Sequence, residues 1–338
     1  MCIRDSEKVK RGTRQISPAP PFITSTLQQE ASRKLGFAAR RTMKAAQELY
    51  EGVEVAGIGA VGLITYMRTD SLRISEDARR DGNDYIRERY GASYLPEKPR
   101  YFKSKNNAQD AHEAIRPSMP ALSPDRVKES LSSDQYRLYK LIWERFIASL
   151  MANCVQDTCQ VDIRADKYHF KSSGYTVRFE GYTVLYVEGK DEDTEEGGAL
   201  PALNEGDVLN LRELKGNQHF TQPPPRYTEA TLIKTLEENG IGRPSTRAAI
   251  IETLFKRNYI RKEKKNLIAT PTGVELIQII HEELLKSAEL TGIWEKKLRE
   301  IERRTYNAGQ FLEELKQMVS EVVMSVLSDN SNRHITIQ

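Results

Sequence analysis

The chain has 338 residues, 38% hydrophobic and 29% charged, with 51 Lys and Arg against 48 Asp and Glu and a net charge of +3. That is the length and composition of a soluble globular chain with two or three domains and their cores; no apolar run reaches the ~20 residues that cross a bilayer, and no secretory signal is visible. Three cysteines, Cys2, Cys154 and Cys159, make no disulfide framework and suit a reducing cytoplasm, and without a second Cys pair they make no zinc site.

Charge is unevenly spread. Residues 1–50 carry ten Lys/Arg against four Asp/Glu, residues 240–265 eight against two, and residues 188–207 one against eight. Basic blocks separated by an acidic loop suit a phosphate-binding surface with a solvated excursion. Each block alone is equally an ordinary solvated helix face.

Residues 1–27 read as an N-terminal segment and linker. Nothing from Met1 to Ser6 forms a pattern, and Ser17-Pro18-Ala19-Pro20-Pro21 is extended because each proline fixes φ and removes a donor. Thr24 or Ser25 then caps a helix to about Leu35, ended by Gly36. A second helix follows over about 38–50. Gln28, Arg33 and Lys34 on the first helix either face a nucleic-acid backbone or form plain surface.

Val61, Leu63 and Ile64 predict a short buried strand, followed abruptly by Thr65-Tyr66-Met67-Arg68-Thr69-Asp70-Ser71. Such a switch holds polar groups at the exposed end of a rigid element. A phenol two residues from a guanidinium has one specific use. Tyr66 can attack a phosphorus atom while Arg68 neutralises charge growing on the phosphoryl oxygens. A half-buried Tyr beside a salt-bridged Arg is the plainer alternative.

Ser75 caps a helix whose first turn holds Glu76 and Asp77, and Gly91 ends it. Four residues apart, His112 and Arg116 are predicted to share one helical face; a structural histidine is the competing reading. Ser123-Pro124-Asp125 opens a short helix. From Asp134 to Met151 a helix carries the apolar stripe Tyr139, Ile142, Trp143, Phe146, Ile147 and Leu150. Residues 155–214 read as antiparallel β, with strands including Val184–Val187 and Val208–Leu211, interrupted by the acidic loop at 188–198.

The last region opens through prolines at 223–225. Thr228 caps a helix to Glu238, Gly240-Ile241-Gly242-Arg243-Pro244-Ser245-Thr246 makes a tight turn, and a second helix runs to Lys256. A hairpin with a basic tip follows from Tyr259. Helix, turn, helix and basic wing make a nucleic-acid-binding arrangement. Arg243, Ser245, Thr246 and Arg247 at an exposed helix start suit a phosphate, although a basic wing also serves solubility alone. Beyond Pro271 two or three amphipathic helices name no site.

Four strings also carry a literal resemblance: Gly62-Leu63-Ile64-Thr65-Tyr66-Met67-Arg68-Thr69-Asp70-Ser71, Pro21-Phe22-Ile23-Thr24-Ser25-Thr26-Leu27-Gln28-Gln29-Glu30-Ala31, Ala111-His112-Glu113-Ala114-Ile115-Arg116-Pro117 and Gly240–Thr246. Together they resemble the bacterial type IA DNA topoisomerases, with matches from about Pro18 into the C-terminal region. The resemblance implies that Tyr66 becomes linked to a 5′-phosphate of cleaved single-stranded DNA, with Arg68 as its phosphate partner. It implies His112 as a nearby DNA contact or proton-transfer helper, and Thr65, Thr69, Asp70 and Arg116 as further DNA contacts. Arg247 stands where the topoisomerase I branch has Tyr; with Thr291-Gly292 and Trp294–Leu298 it leans toward topoisomerase III, so the subfamily stays open.

In this family Mg²⁺ is held by acids of a TOPRIM domain. Asp191, Asp193 and Glu195 have the spacing of that motif but sit in a charged loop of a β region, and are read as a coincidence. The expected picture is therefore an α+β, mainly helical fragment downstream of a TOPRIM domain. A helical nucleophile domain occupies 28–152, a β arch 153–217, and a helical, winged-helix-bearing DNA-binding domain 218–338. The chain is expected to be monomeric, cytoplasmic and nucleoid-associated, with single-stranded DNA as partner and no membrane. It needs no ATP, having no Walker loop, and alone lacks relaxation activity. Two rivals stay open: a non-catalytic single-stranded nucleic-acid-binding fragment, and a type IB or tyrosine recombinase-like enzyme with 3′-linkage.

Overall fold

The computed structural model describes residues 6–102, 112–189, 198–280 and 283–328. Of the described residues 46% are helical and 18% are in strands, with small antiparallel sheets. It divides into two compact units: residues 1–22, 49–66 and 71–224, and residues 23–48, 67–70 and 225–338.

The first unit is built on a three-stranded antiparallel sheet in the order β1 (Ser6–Ile16), β4 (Cys154–Ala165), β5 (Tyr168–Phe179). Strand β1 falls in the N-terminal segment and linker of residues 1–27, where the sequence offers no strand signal. Its charged sequence Ser-Glu-Lys-Val-Lys-Arg-Gly-Thr-Arg-Gln-Ile shows no apolar alternation because most of its side chains are exposed. The main-chain ladder to β4, from Lys8 opposite Asp162 to Ile16 opposite Cys154, holds it instead, and lysines suit a sheet edge. β2 (Val53–Val55) and β3 (Gly59–Val61) form a small hairpin.

The core of this unit is α5 (Ser133–Leu150), capped by Ser132 and Gln135 in a reciprocal box. Tyr139, Ile142, Phe146 and Ile147 on it are fully buried, as its periodicity predicts. The two polar handles of that stripe are satisfied, Tyr139 Oη donating to Leu122 O at 2.6 Å and Trp143 Nε1 to Pro120 O at 2.9 Å. α3 (Glu76–Tyr90) is capped by Ser75 as predicted and ends at Gly91. It buries Ala78, Arg79, Gly82 and Ile86. A Cβ on Gly82 would stand 2.5 Å from Leu150 Cδ1, so the missing side chain is what lets α3 approach α5. α4 (Pro124–Val127) begins with its proline at N1.

Two expected strands are absent here. Val184 closes a 3-10 turn from Gly181, and Tyr186 turns inward to Arg145 Nη1 at 3.3 Å. Residues 208–211 are irregular and Val208 is exposed. The preceding turn spends hydrogen bonds on itself and on Ser6: Asn204 N donates to Asp207 Oδ2, and Ser6 N to Asp207 O.

In the second unit α1 (Thr24–Glu30) runs into a π-helical turn over Ala31–Leu35 that ends at Gly36. α2 (Ala39–Glu51) starts in this unit, where the carboxylate of Glu229 accepts from Ala39 N at 3.0 Å. α6 (Glu229–Glu238) is capped by Thr228, and α7 (Arg247–Lys256) follows the predicted turn. β6 (Ile260–Glu263) and β7 (Asn266–Ala269) form the predicted hairpin. Ala39, Ile233 and Ile251 make a small core with Leu232, Leu236, Ala248 and Phe255 around it. Helices α8 (Pro271–Ile279), α9 (Glu283–Lys286), α10 (Ala288–Glu302) and α11 (Ala308–Ser328) complete the described chain.

Candidate functional site: a clamped tyrosine and a basic turn

The tyrosine stretch is held by main-chain bonds and the Thr65 hydroxyl rather than by the strand its apolar residues suggested. β3 ends at Val61; Leu63 and Ile64 are buried, and Ile64 makes only an isolated bridge to Pro117. Leu63 N donates to Leu49 O at 2.8 Å, Ser118 N to Leu63 O at 2.9 Å, and Thr65 N to Arg116 O at 3.0 Å. Thr65 Oγ1 adds a donation to Ala114 O at 2.7 Å and accepts from Arg116 N at 3.0 Å. Five hydrogen bonds thus fix the three residues before Tyr66. Gly62 permits this approach, since a Cβ there would lie 2.6 Å from Tyr50 O.

Tyr66 is half-buried. Its ring meets His112 at 5.2 Å between centroids and Tyr50 edge-on at 5.4 Å. Those contacts set the ring plane on two sides. His112 does not share a helical face with Arg116. Residues 112–117 are extended, Ala114 N donating to Arg73 O and Ile115 N to Phe22 O. Pro117 is the reason, because the residue before a proline avoids the α region.

Arg116 is a strut more than a free cation. Its Nε donates to Glu113 Oε2 at 2.7 Å, Nη1 to Pro117 O at 2.9 Å and Nη2 to Ser75 Oγ at 3.4 Å. Sequence reasoning missed Tyr50, which ends an ordinary amphipathic helix and carries no signal of its partner.

Met67–Asp70 belongs to the second unit. There Thr24 clamps it: Thr24 Oγ1 lies 2.8 Å from Met67 O, Thr69 N donates to Thr24 Oγ1 at 2.9 Å, and Thr24 N donates to Thr69 O at 3.0 Å. Thr69 is buried while Arg68 and Asp70 are exposed. Arg68 has no carboxylate partner among the described residues, which disfavours the salt-bridged alternative.

The basic turn divides its residues. Arg243, Ser245 and Thr246 are exposed, and Arg243 Nε reaches Glu295 Oε2 at 3.2 Å. Thr246 Oγ1 accepts from Arg243 N at 2.9 Å. Arg247 is not at an exposed helix start. It is buried and donates from Nε to Ile241 O at 3.2 Å and from Nη2 to Gly242 O at 3.4 Å. Burial lowers its pKa, with Glu237 and Asp70 acting in the opposite sense. Gly242 at φ 67° closes that turn in the left-handed region.

Asp191, Asp193 and Glu195 lie outside the described residues. Among the described residues no group of three or more His, Cys, Asp or Glu side chains converges.

A family described as "DNA topoisomerase" matches residues 5–313. The solved structure of full-length topoisomerase I from Thermotoga maritima is similar over 95% of this chain, with a TM-score of 0.82 and 36% identity. The match covers 52% of that chain, so this chain spans about half the length of that relative.

Proposed function

We propose, since this chain belongs to the type IA DNA topoisomerase family, that it is the strand-cutting and strand-passing part of such an enzyme. The observation that carries this is a tyrosine on a hydrogen-bonded clamp, set between two rings, with an exposed arginine two residues along the chain that has no carboxylate partner among the described residues.

In this reading the Tyr66 oxygen attacks a phosphodiester of a single strand. The O–P bond forms, the bond to the 3′-oxygen breaks, and a 3′-hydroxyl leaves with the phenol proton delivered to it. Arg68 stabilises the charge on the non-bridging oxygens, and His112 contacts the strand or moves the proton. The step reverses because a phenol, pKa ~10, is a better leaving group than an alkyl alcohol, so no ATP is consumed. Mg²⁺, where the whole enzyme uses it, would supply electrostatic stabilisation of the developing charge.

Residues 28–152 carry the nucleophile, 153–217 form the arch that opens for passage, and 218–338 hold the strand with a winged-helix-like unit at α6, α7 and the β6–β7 hairpin. Thr65, Thr69 and Asp70 orient the motif, Arg243, Ser245 and Thr246 meet phosphates, and Arg116 and Arg247 hold the backbone that presents them. The partner is single-stranded DNA, bound by a monomer in the bacterial cytoplasm. Titration of a fluorescent oligonucleotide at a series of salt concentrations tests the binding half. Single strands should bind better than duplex, with a salt slope reporting several displaced counterions; salt-insensitive duplex binding contradicts it.

A further inference from the structure

The N-terminus of α3 adjoins a pocket of about 300 Å³ lined by Leu72, Arg73, Ser75, Glu76, Arg79 and Tyr101 among others. Arg79 lies on the buried stripe of the helix, one turn before Gly82, and is only 7% exposed. Its Nε and Nη1 have no hydrogen-bond partner among the described residues. Glu76 Oε1 stands 3.6 Å from Nη1, too far for a hydrogen bond, on a side chain 75% exposed. The ring of Tyr101 stacks on the guanidinium at 4.0 Å, which steadies the charge but accepts nothing from Nε. A buried cation with unused donors is costly unless something supplies the acceptors.

Three further donors face the same place. Arg73 is exposed and has no ion pair among the described residues. Ser75 Oγ accepts from Ala78 N and Arg116 Nη2, both at 3.4 Å, leaving its own proton to give. The N–H groups of Glu76 and Asp77, which open the 15-residue helix α3 ahead of the capped Ala78, have no intrahelical acceptor, and the helix dipole favours an anion there. Donors arriving from several directions suit a tetrahedral oxyanion better than a planar carboxylate.

We propose that this pocket is a phosphate-binding subsite, with Arg79 as its buried ligand and Arg73, Ser75 and the α3 N-terminus completing it. Ser75 joins it through Arg116 to Thr65, the neighbour of Tyr66. A phosphodiester of the bound strand is therefore one source of the group, an assignment that rests on the function proposed above, and free orthophosphate is the other.

The test reads the Arg79 Nε–H resonance by ¹⁵N NMR and the thermal midpoint, in phosphate against chloride at matched ionic strength. Phosphate should shift the Arg79 resonance and raise the midpoint by about 2 °C or more, and Arg79→Met should remove the rise. Arg73→Ala, at an exposed position, should weaken the effect without touching the core, so a misfolded Arg79 variant does not block the test. A dT oligonucleotide without terminal phosphate separates the sources. If it shifts the same resonance and Arg79→Met lowers its salt slope by about 1, the occupant is the strand; if only orthophosphate does, the occupant is the free ion. An oligonucleotide that fails to bind anywhere defeats the strand reading while the phosphate arm still decides the pocket. An Arg79 resonance unmoved by either ligand, with the midpoint rise intact in both variants, overturns the subsite.

Discussion

The Tyr66 ring lies 5.2 Å from the His112 imidazole, tilted by 40°, although 46 positions separate them in the sequence. The contact depends on the Thr65 side chain, which ties Tyr66's neighbour to Ala114 and Arg116. If His112 moves a proton or holds the strand during cleavage, His112→Ala should slow single-turnover cleavage by about 10²-fold. The measurement uses the chain joined to the part of topoisomerase I that it does not span, and oligonucleotide affinity should change little. Unchanged cleavage would make His112 packing for the tyrosine ring.

Gly62→Ala should damage the same site from behind. Its Cβ would meet the Tyr50 carbonyl at 2.6 Å, and backbone cannot swing aside as a side chain does. A loss of about 1–3 kcal/mol is expected, with weaker cleavage as the Tyr50–Tyr66 pair shifts. Chemical denaturation beside the cleavage assay checks both; a neutral substitution would mean the clamp is looser than described.

Arg243 and Arg247, alike in sequence, should part in experiment. Arg243→Ala should lower single-strand affinity and salt slope while leaving the melt nearly unchanged, its pairing with Glu295 being half-exposed. Arg247→Ala should cost about 1–3 kcal/mol, because it leaves the Ile241 and Gly242 carbonyls without their donor. Melting curves beside binding curves separate the two, and equal behaviour would contradict the division.

Helix signals were the most readable part of this sequence. Ser75, Thr228 and the α5 stripe each act locally, through a cap or a repeated face, and the structure places them as expected. Strand β1 was hidden because its partner β4 lies about 140 positions away and the ladder between them is made by the main chain, with polar side-chain pairs such as Arg14 and Gln156 beside it. Val184–Val187 misled in the other direction, its β-prone residues being spent on a turn and on Arg145. At the site, the motif located Tyr66 and Arg68, but residue types alone did not distinguish the exposed Arg243 from the buried Arg247. That difference is set by the left-handed turn at Gly242, which folds two carbonyls back onto Arg247.

Arg68→Ala should reduce cleavage by about 10²–10³-fold, the loss seen when one donor to a developing oxyanion is removed. Its exposure, without a carboxylate partner among the described residues, predicts little change in stability. A melt shifted as much as the rate would make it a structural residue.

The most direct measurement labels a single-stranded oligonucleotide at one end or the other and traps the covalent adduct with the completed enzyme. Attack by Tyr66 with release of a 3′-hydroxyl leaves the protein on the 5′-phosphate, so the 3′-labelled strand should travel with the protein. The peptide containing Tyr66 should carry the phosphodiester, and Tyr66→Phe should yield no adduct while still binding the strand. Label transferred from the 5′ end, or an adduct persisting in Tyr66→Phe, would contradict the assignment of Tyr66 as the nucleophile of a type IA cleavage.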